Sequence, residues 1–257
     1  MVHLVKKGST KGTILCIHGN SSSPEIFQSL LTDQIIHQTI IAVELLGHSV
    51  EHQDCNIELF STKNQCKVLS TYINTIDDDI FLLGNSLGGH LAIEIAKDIK
   101  RLKGLMIFGT PPVTNPINFE EAFNVVPALN TYLTENPTET DIETAAKVAV
   151  YKTEVAPSVS RYFKIANPLV RTALAIDITK NNWSNQKDIF LNLQVPKYIV
   201  AGNQDPTVSI DYLKTIEVLA DNCELLFINN CGHYPTLEQP NAFIELLKTA
   251  SLKVFDL

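Results

Sequence analysis

Apolar residues fall along this chain in short unbroken runs rather than in simple alternation. Residues 13–17, 39–43, 80–83, 105–108, 197–201 and 225–228 form six such runs, each four or five residues long. A strand with one wet face alternates with period two. A run apolar on both faces is what a strand buried inside a parallel sheet requires. Gly, Pro, Asn or Asp follows the runs, and amphipathic helical patterns lie between them, as at 91–99 and 212–219. Strand–helix alternation predicts βαβ units and an α/β fold, a mostly parallel sheet flanked by helices.

The alternation lapses once. From 113 to 188 no strand-like run occurs, and Pro116, Pro127, Pro137, Pro157 and Pro168 punctuate a stretch rich in Ala, Thr, Asn and Glu. Residues 141–151 read as a helix. The expected organisation is a core in two parts, 1–112 and 189–257, with 113–188 as a helical cap inserted between them.

Composition narrows the function. The chain has 257 residues, 45% of them hydrophobic, enough for one sizeable core. Its formal net charge of −8 repels phosphate backbones, so no nucleic-acid partner is expected. No apolar run approaches the roughly 18 residues of a membrane span, so no membrane partner is expected either. The start, Met1 to Lys7, shows no apolar leader region. Five cysteines, an odd number without a CxxC pair, suit a reducing cytoplasm, and Cys16 and Cys223, in or beside apolar runs, read as buried thiols. His3, His37, His48, His52 and His90 lack metal-ligand spacing, and Cys231 and His233 have no third ligand beside them. Neither a metal nor a cofactor is expected, and no pattern fixes an oligomeric state.

The chemistry concentrates at the ends of the strand-like runs. Ser86 lies in Gly84-Asn85-Ser86-Leu87-Gly88, between a strand and a helix. In that setting G-x-S-x-G is a nucleophile elbow. The turn is sharp enough to strain the serine backbone, and its flanks leave no room for side chains. A serine hydroxyl is a weak nucleophile at neutral pH and needs a base. His233, in the loop after 225–228, is the candidate. A base needs an orienting carboxylate, and Asp205, after 197–201, supplies one. Asp211 and Glu217 are rivals but fall within a helical pattern; an N-cap role for Asp205 is the structural alternative. The backbone N–H groups of Leu87, next after the nucleophile, and of Asn20, after 13–17, are the expected oxyanion donors. His18 is expected to hold its loop through backbone hydrogen bonds, and His90 to be a packing or surface residue.

These blocks, in this order, resemble the α/β-hydrolase superfamily over nearly the whole chain. Further blocks, at 17–23, 87–90, 104–113 and 185–189, resemble its metal-independent N-acyl-homoserine lactonases. That resemblance implies ring-opening of bacterial signalling lactones by a serine triad. The family's acid is a Glu before Pro, where this chain has Asp205-Pro206. Three other positions depart from the pattern. Glu44-Leu45-Leu46-Gly47-His48-Ser49 replaces a D-x-P-G-H-G-type loop, Asn85 replaces an aromatic residue, and Ala145 falls where a cap tyrosine is found. The small-molecule substrate is therefore expected to be a lactone or a simple carboxylic ester. A small-ligand receptor of the same fold with little turnover is the non-enzymatic alternative. Serine at 86 excludes epoxide hydrolases and dehalogenases, which place Asp there; carbon–carbon bond hydrolases and perhydrolases keep Ser. Phe119, Phe123, Tyr132, Tyr151, Tyr162, Phe163 and Trp183 are the candidate walls of an acyl pocket.

Overall fold

The computed structural model describes residues 3–50 and 54–256; Met1, Val2 and His52 lie outside the described residues. Among the described residues, β1 (His3–Lys6), β2 (Thr13–Ile17), β3 (Thr39–Val43), β4 (Ile80–Asn85), β5 (Leu102–Phe108), β6 (Lys197–Gly202) and β7 (Cys223–Ile228) form one sheet. Their order is β1-β3-β2-β4-β5-β6-β7. Strand β1 runs antiparallel to β3, and every other pairing is parallel. All six strand-like runs are strands. Strands β4, β5, β6 and β7 extend past the apolar segments, because backbone pairing continues beyond them. Residues before Thr13 contribute the single edge strand β1.

The unbroken apolar runs have a direct cause. Leu15, Ile17, Leu82, Leu105 and Ile107 enter one hydrophobic core. Their neighbours Ile14, Cys16, Phe81, Leu83, Met106 and Phe108 enter another. Successive side chains point to opposite faces of the sheet, so both faces are covered. Each fully buried Leu, Ile or Phe contributes about 1.5–3 kcal/mol of burial free energy.

Chain order also sets where a ligand can bind. From β2 the chain moves outward to β3, then returns to place β4 on the other side of β2. Connections leave in opposite directions at this point, and a crevice opens beyond the strand ends. Ile17 and Asn85 end the two strands, so Asn20 and Ser86 both emerge there.

Residues 113–188 contain no strand; Phe123 makes one isolated bridge to Val208. Their helices include Glu139–Ala149, Ala156–Ile165 and Leu169–Thr179. The first begins two residues before the expected 141, because Thr138 and Asp141 form a capping box there. Helix Gln186–Asn192 spans the boundary expected at 188 and packs against the helix that follows Ser86. No helix among the described residues is long and apolar enough to cross a membrane.

Candidate active site

Ser86 sits at φ 51°, ψ −121°, as the N-cap of helix Leu87–Ile95. Its N–H donates to Phe108 O at 2.9 Å, and its carbonyl accepts the Thr110 hydroxyl, also at 2.9 Å. The neighbouring glycines are required by contact. A Cβ on Gly88 would lie 2.1 Å from Ile17 O, and one on Gly84 would lie 2.5 Å from Gly88 O. Leu87 is the first residue of the helix, and its N–H is among those left free at a helix N-terminus.

Beyond β6 and β7 lie the two partners expected from the sequence. His233 Nδ1 is 3.0 Å from Asp205 Oδ2. The other carboxylate oxygen accepts the Thr207 N–H at 2.8 Å and its hydroxyl at 2.6 Å. Thr207 Oγ1 also lies 3.0 Å from His233 Nδ1. Asp205 is not an N-cap, since Ser209 caps helix Ile210–Leu219. Burial alone would raise the Asp205 carboxyl, but His233 and the Thr207 donors hold it below the usual carboxylate range. Burial alone would lower His233, but the Asp205 carboxylate raises it above the usual imidazole value. Among the described residues Ser86 Oγ makes no hydrogen bond to His233. In free hydrolytic sites that contact is often long and tightens with substrate.

Ser86 and His233 face one cavity of about 220 Å³, whose lining also includes Gly19, Asn20 and Leu87. Most of its remaining wall is apolar and comes from 113–188, including Ile117, Phe119, Phe123, Leu129, Leu174 and Trp183. Asn20 Nδ2 donates to Tyr132 O at 2.7 Å, tying the loop after β2 to that wall. His18 Nδ1 donates to Gly19 O at 2.8 Å, while its Nε2 accepts Leu45 N–H at 3.1 Å. The ring therefore holds its loop, neutral, with its pKa lowered by burial and by His48. Among the described residues no three His, Cys, Asp or Glu side chains gather as a metal site.

A family model described as the Alpha/beta hydrolase family matches residues 14–246. The chain belongs to that family. The fold of this hydrolase is similar to N-acyl homoserine lactonase AidH complexed with N-butanoyl homoserine. That match has a TM-score of 0.87 at 26% identity, covering 99% of this chain and 93% of that one. A serine-to-glycine mutant of the same enzyme, complexed with N-hexanoyl homoserine lactone, gives 0.87 at 25% identity, covering 99% and 94%. In sequence the hydrolase is 25% identical over 245 residues to a pimeloyl-acyl-carrier-protein methyl ester esterase of Xylella fastidiosa (strain M23). That covers 91% of this chain and 93% of the esterase.

The hydrolase brings together Ser86, Asn20, Leu87 and His233 around the cavity, with Asp205 behind His233. Of the aromatic candidates, Phe119, Phe123, Tyr132 and Trp183 line it. Tyr151, Tyr162 and Phe163 do not: Tyr151 is exposed, and the other two are packed inside. Ala145 is buried away from the cavity, and Tyr132 supplies a tyrosine from a different segment. His90, expected as a packing or surface residue, is buried in the cavity wall. Thr207 was legible only as a residue two places after an Asp, a common turn pattern. Asn85, in place of an aromatic, is fully buried; its Nδ2 lies 3.4 Å from both Phe108 O and His233 O.

Proposed function

We propose that this hydrolase opens N-acyl homoserine lactones by acyl transfer through Ser86. The observation that carries the chemistry is the His233–Asp205 pair at 3.0 Å, whose imidazole lines one cavity with a serine held on a strained elbow. The AidH likeness, at 25–26% identity and across nearly the whole chain, favours a lactone carbonyl.

His233 Nε2 takes the Ser86 proton as Oγ bonds to the carbonyl carbon. Charge builds on the carbonyl oxygen, where the Leu87 and Asn20 N–H groups stabilise it; one such donor is worth about 3 kcal/mol of barrier. The ring C–O bond then breaks. The departing oxygen takes the proton from His233 and becomes the hydroxyl of a Ser86-bound acyl chain. Water repeats the sequence, releasing N-acyl homoserine and restoring Ser86. Asp205 keeps the Nδ1–H tautomer and stabilises the transient cation.

In this reading 113–188 acts as the cap, because it supplies most of the apolar wall. Five unpaired thiols suit a reducing cytoplasm. A general carboxylesterase is the second reading, favoured by the methyl ester esterase relative. Acid release from homoserine lactones of several chain lengths, compared with simple esters in a pH-stat, separates the two. Turnover should vanish in Ser86→Ala. An unchanged Ser86→Ala rate would overturn the nucleophile, and esters cleaved without any lactone would leave the esterase.

A further inference from the structure

His90 stands one helical turn beyond the nucleophile, its N–H donating to Ser86 O at 3.1 Å. One turn places it about 6 Å along the helix. The ring is buried and lines the cavity, tilted 36° to that of Trp183 with 4.6 Å between centroids.

Its hydrogen bonds determine which nitrogen carries the proton. Gln186, fully buried, donates from Nε2 to Glu94 Oε1 at 2.9 Å, and Ser184 N–H donates to the same oxygen. A carboxylate only accepts, so the amide nitrogen must face Glu94 and the amide oxygen must face His90. That oxygen lies 2.7 Å from His90 Nδ1 and also only accepts, so Nδ1 bears the proton. Burial pushes the imidazole down to about 4, so the ring is neutral at ordinary pH. Nε2 is then a bare acceptor, with no partner among the described residues. It is not one of the enclosed unpartnered polar atoms, so a donor that enters the cavity can reach it.

We propose that His90 Nε2 accepts a hydrogen bond from an N–H two bonds from the scissile carbonyl carbon, selecting α-acylamino lactones and esters. This rests on the acyl-transfer reading of Ser86. The Glu94–Gln186–His90 chain is thus a device that sets a tautomer for specificity.

The test compares kcat/KM for two substrate pairs. One pair is N-hexanoyl homoserine lactone and its analogue with CH2 in place of the amide N–H. The other is N-hexanoylglycine methyl ester and the same CH2 analogue. Wild type should favour the amide in whichever pair it cleaves. His90→Phe should lower the amide member about ten- to a hundredfold more than the CH2 member. His90→Gln, which restores an acceptor, should recover part of the preference. If His90→Phe does not fold, Gln186→Leu, which frees the tautomer, should narrow the amide preference. Equal losses on both members, or none, would overturn the proposal. Hydrolysis of a p-nitrophenyl ester, abolished by Ser86→Ala, reports separately on the acyl-transfer reading. Cleavage of the esters alone removes the lactone assignment and leaves the ester pair to decide the role of His90.

Discussion

A methyl group built on Gly109 would lie 2.5 Å from Cε1 of His233 and 2.8 Å from its Nδ1. Gly109 follows β5 at φ 60°, a region costly for L side chains. The end of a central strand therefore forms a wall for the imidazole, beside the bond to Asp205. Gly109→Ala should push the ring off its place. Displacement of a catalytic group by about 1 Å costs on the order of a hundredfold in rate. We expect kcat on an activated ester to fall by about that much, with about 1–3 kcal/mol lost in urea unfolding from the strained backbone. A variant with wild-type kcat would mean that the ring has room to yield.

The pH dependence follows from the same pair. His233 accepts the Ser86 proton only when neutral, and its pKa is raised. kcat/KM should therefore fall as pH drops through a value above the ordinary 6.5 or so. In Asp205→Asn only the smaller pull of Glu238 still opposes burial, so the limb should move to lower pH while the plateau falls by orders of magnitude. A limb that stays in place would dissociate it from His233. Stability carries two opposite signs. The raised His233 contributes fully below about pH 6.5 and loses its contribution as pH rises through its folded pKa. The lowered Asp205 contributes above about pH 3.9 and loses its contribution as pH falls through its folded pKa. The two belong to one coupled pair and are counted once.

Strands and their chemistry were legible because each has a local signature. Thr13–Ile17 is apolar on both faces, and Ser86 lies between glycines that admit no Cβ. Asp205 and His233 each follow a strand. The roles that escaped notice, including side-chain roles of residues already singled out, depend on partners distant in sequence. Gly109 matters because of His233, Asn20 through Tyr132, and His90 through Gln186. Aromatic spacing between 113 and 188 cannot say which side of a helix meets the cavity. Hence Tyr132 lines it, while Phe163, whose ring centroid is 5.4 Å from that of Tyr132, does not.

The backbone of Ser86 stores strain that function requires. At φ 51°, ψ −121° an L residue is held against its preference at a cost of about 1–3 kcal/mol. Glycine tolerates this region but loses more freedom on folding, by about 0.5–1 kcal/mol. Ser86→Gly should therefore abolish turnover and raise the stability by about 1 kcal/mol, read as a higher urea midpoint at unchanged slope. A lower midpoint would show that the serine hydroxyl contributes more stability than the turn costs.

Glu238 is a buried carboxylate serving the backbone around the base. Its Oε2 accepts N–H groups from Tyr151 at 2.7 Å, Lys152 at 3.0 Å and Gly232 at 3.0 Å, and its Oε1 accepts that of Tyr234 at 3.1 Å. His233 N–H, between the last two, donates to Ala149 O at 2.9 Å. One side chain thus joins the His233 loop to the segment after helix Glu139–Ala149. Four donors converge on a group that only accepts. In Glu238→Gln the amide nitrogen must face at least one N–H and leave it unpaired. Charged hydrogen bonds of this kind are worth about 1.5–3 kcal/mol each, and a buried unpaired donor costs about 1–3 kcal/mol. Glu238→Gln should lose about 2–4 kcal/mol in urea unfolding. Amide exchange should quicken at Tyr151, Lys152, Gly232 and Tyr234, with kcat falling as His233 loses its fixed position. Wild-type exchange at these four amides in Glu238→Gln would mean that the loop is held by other contacts.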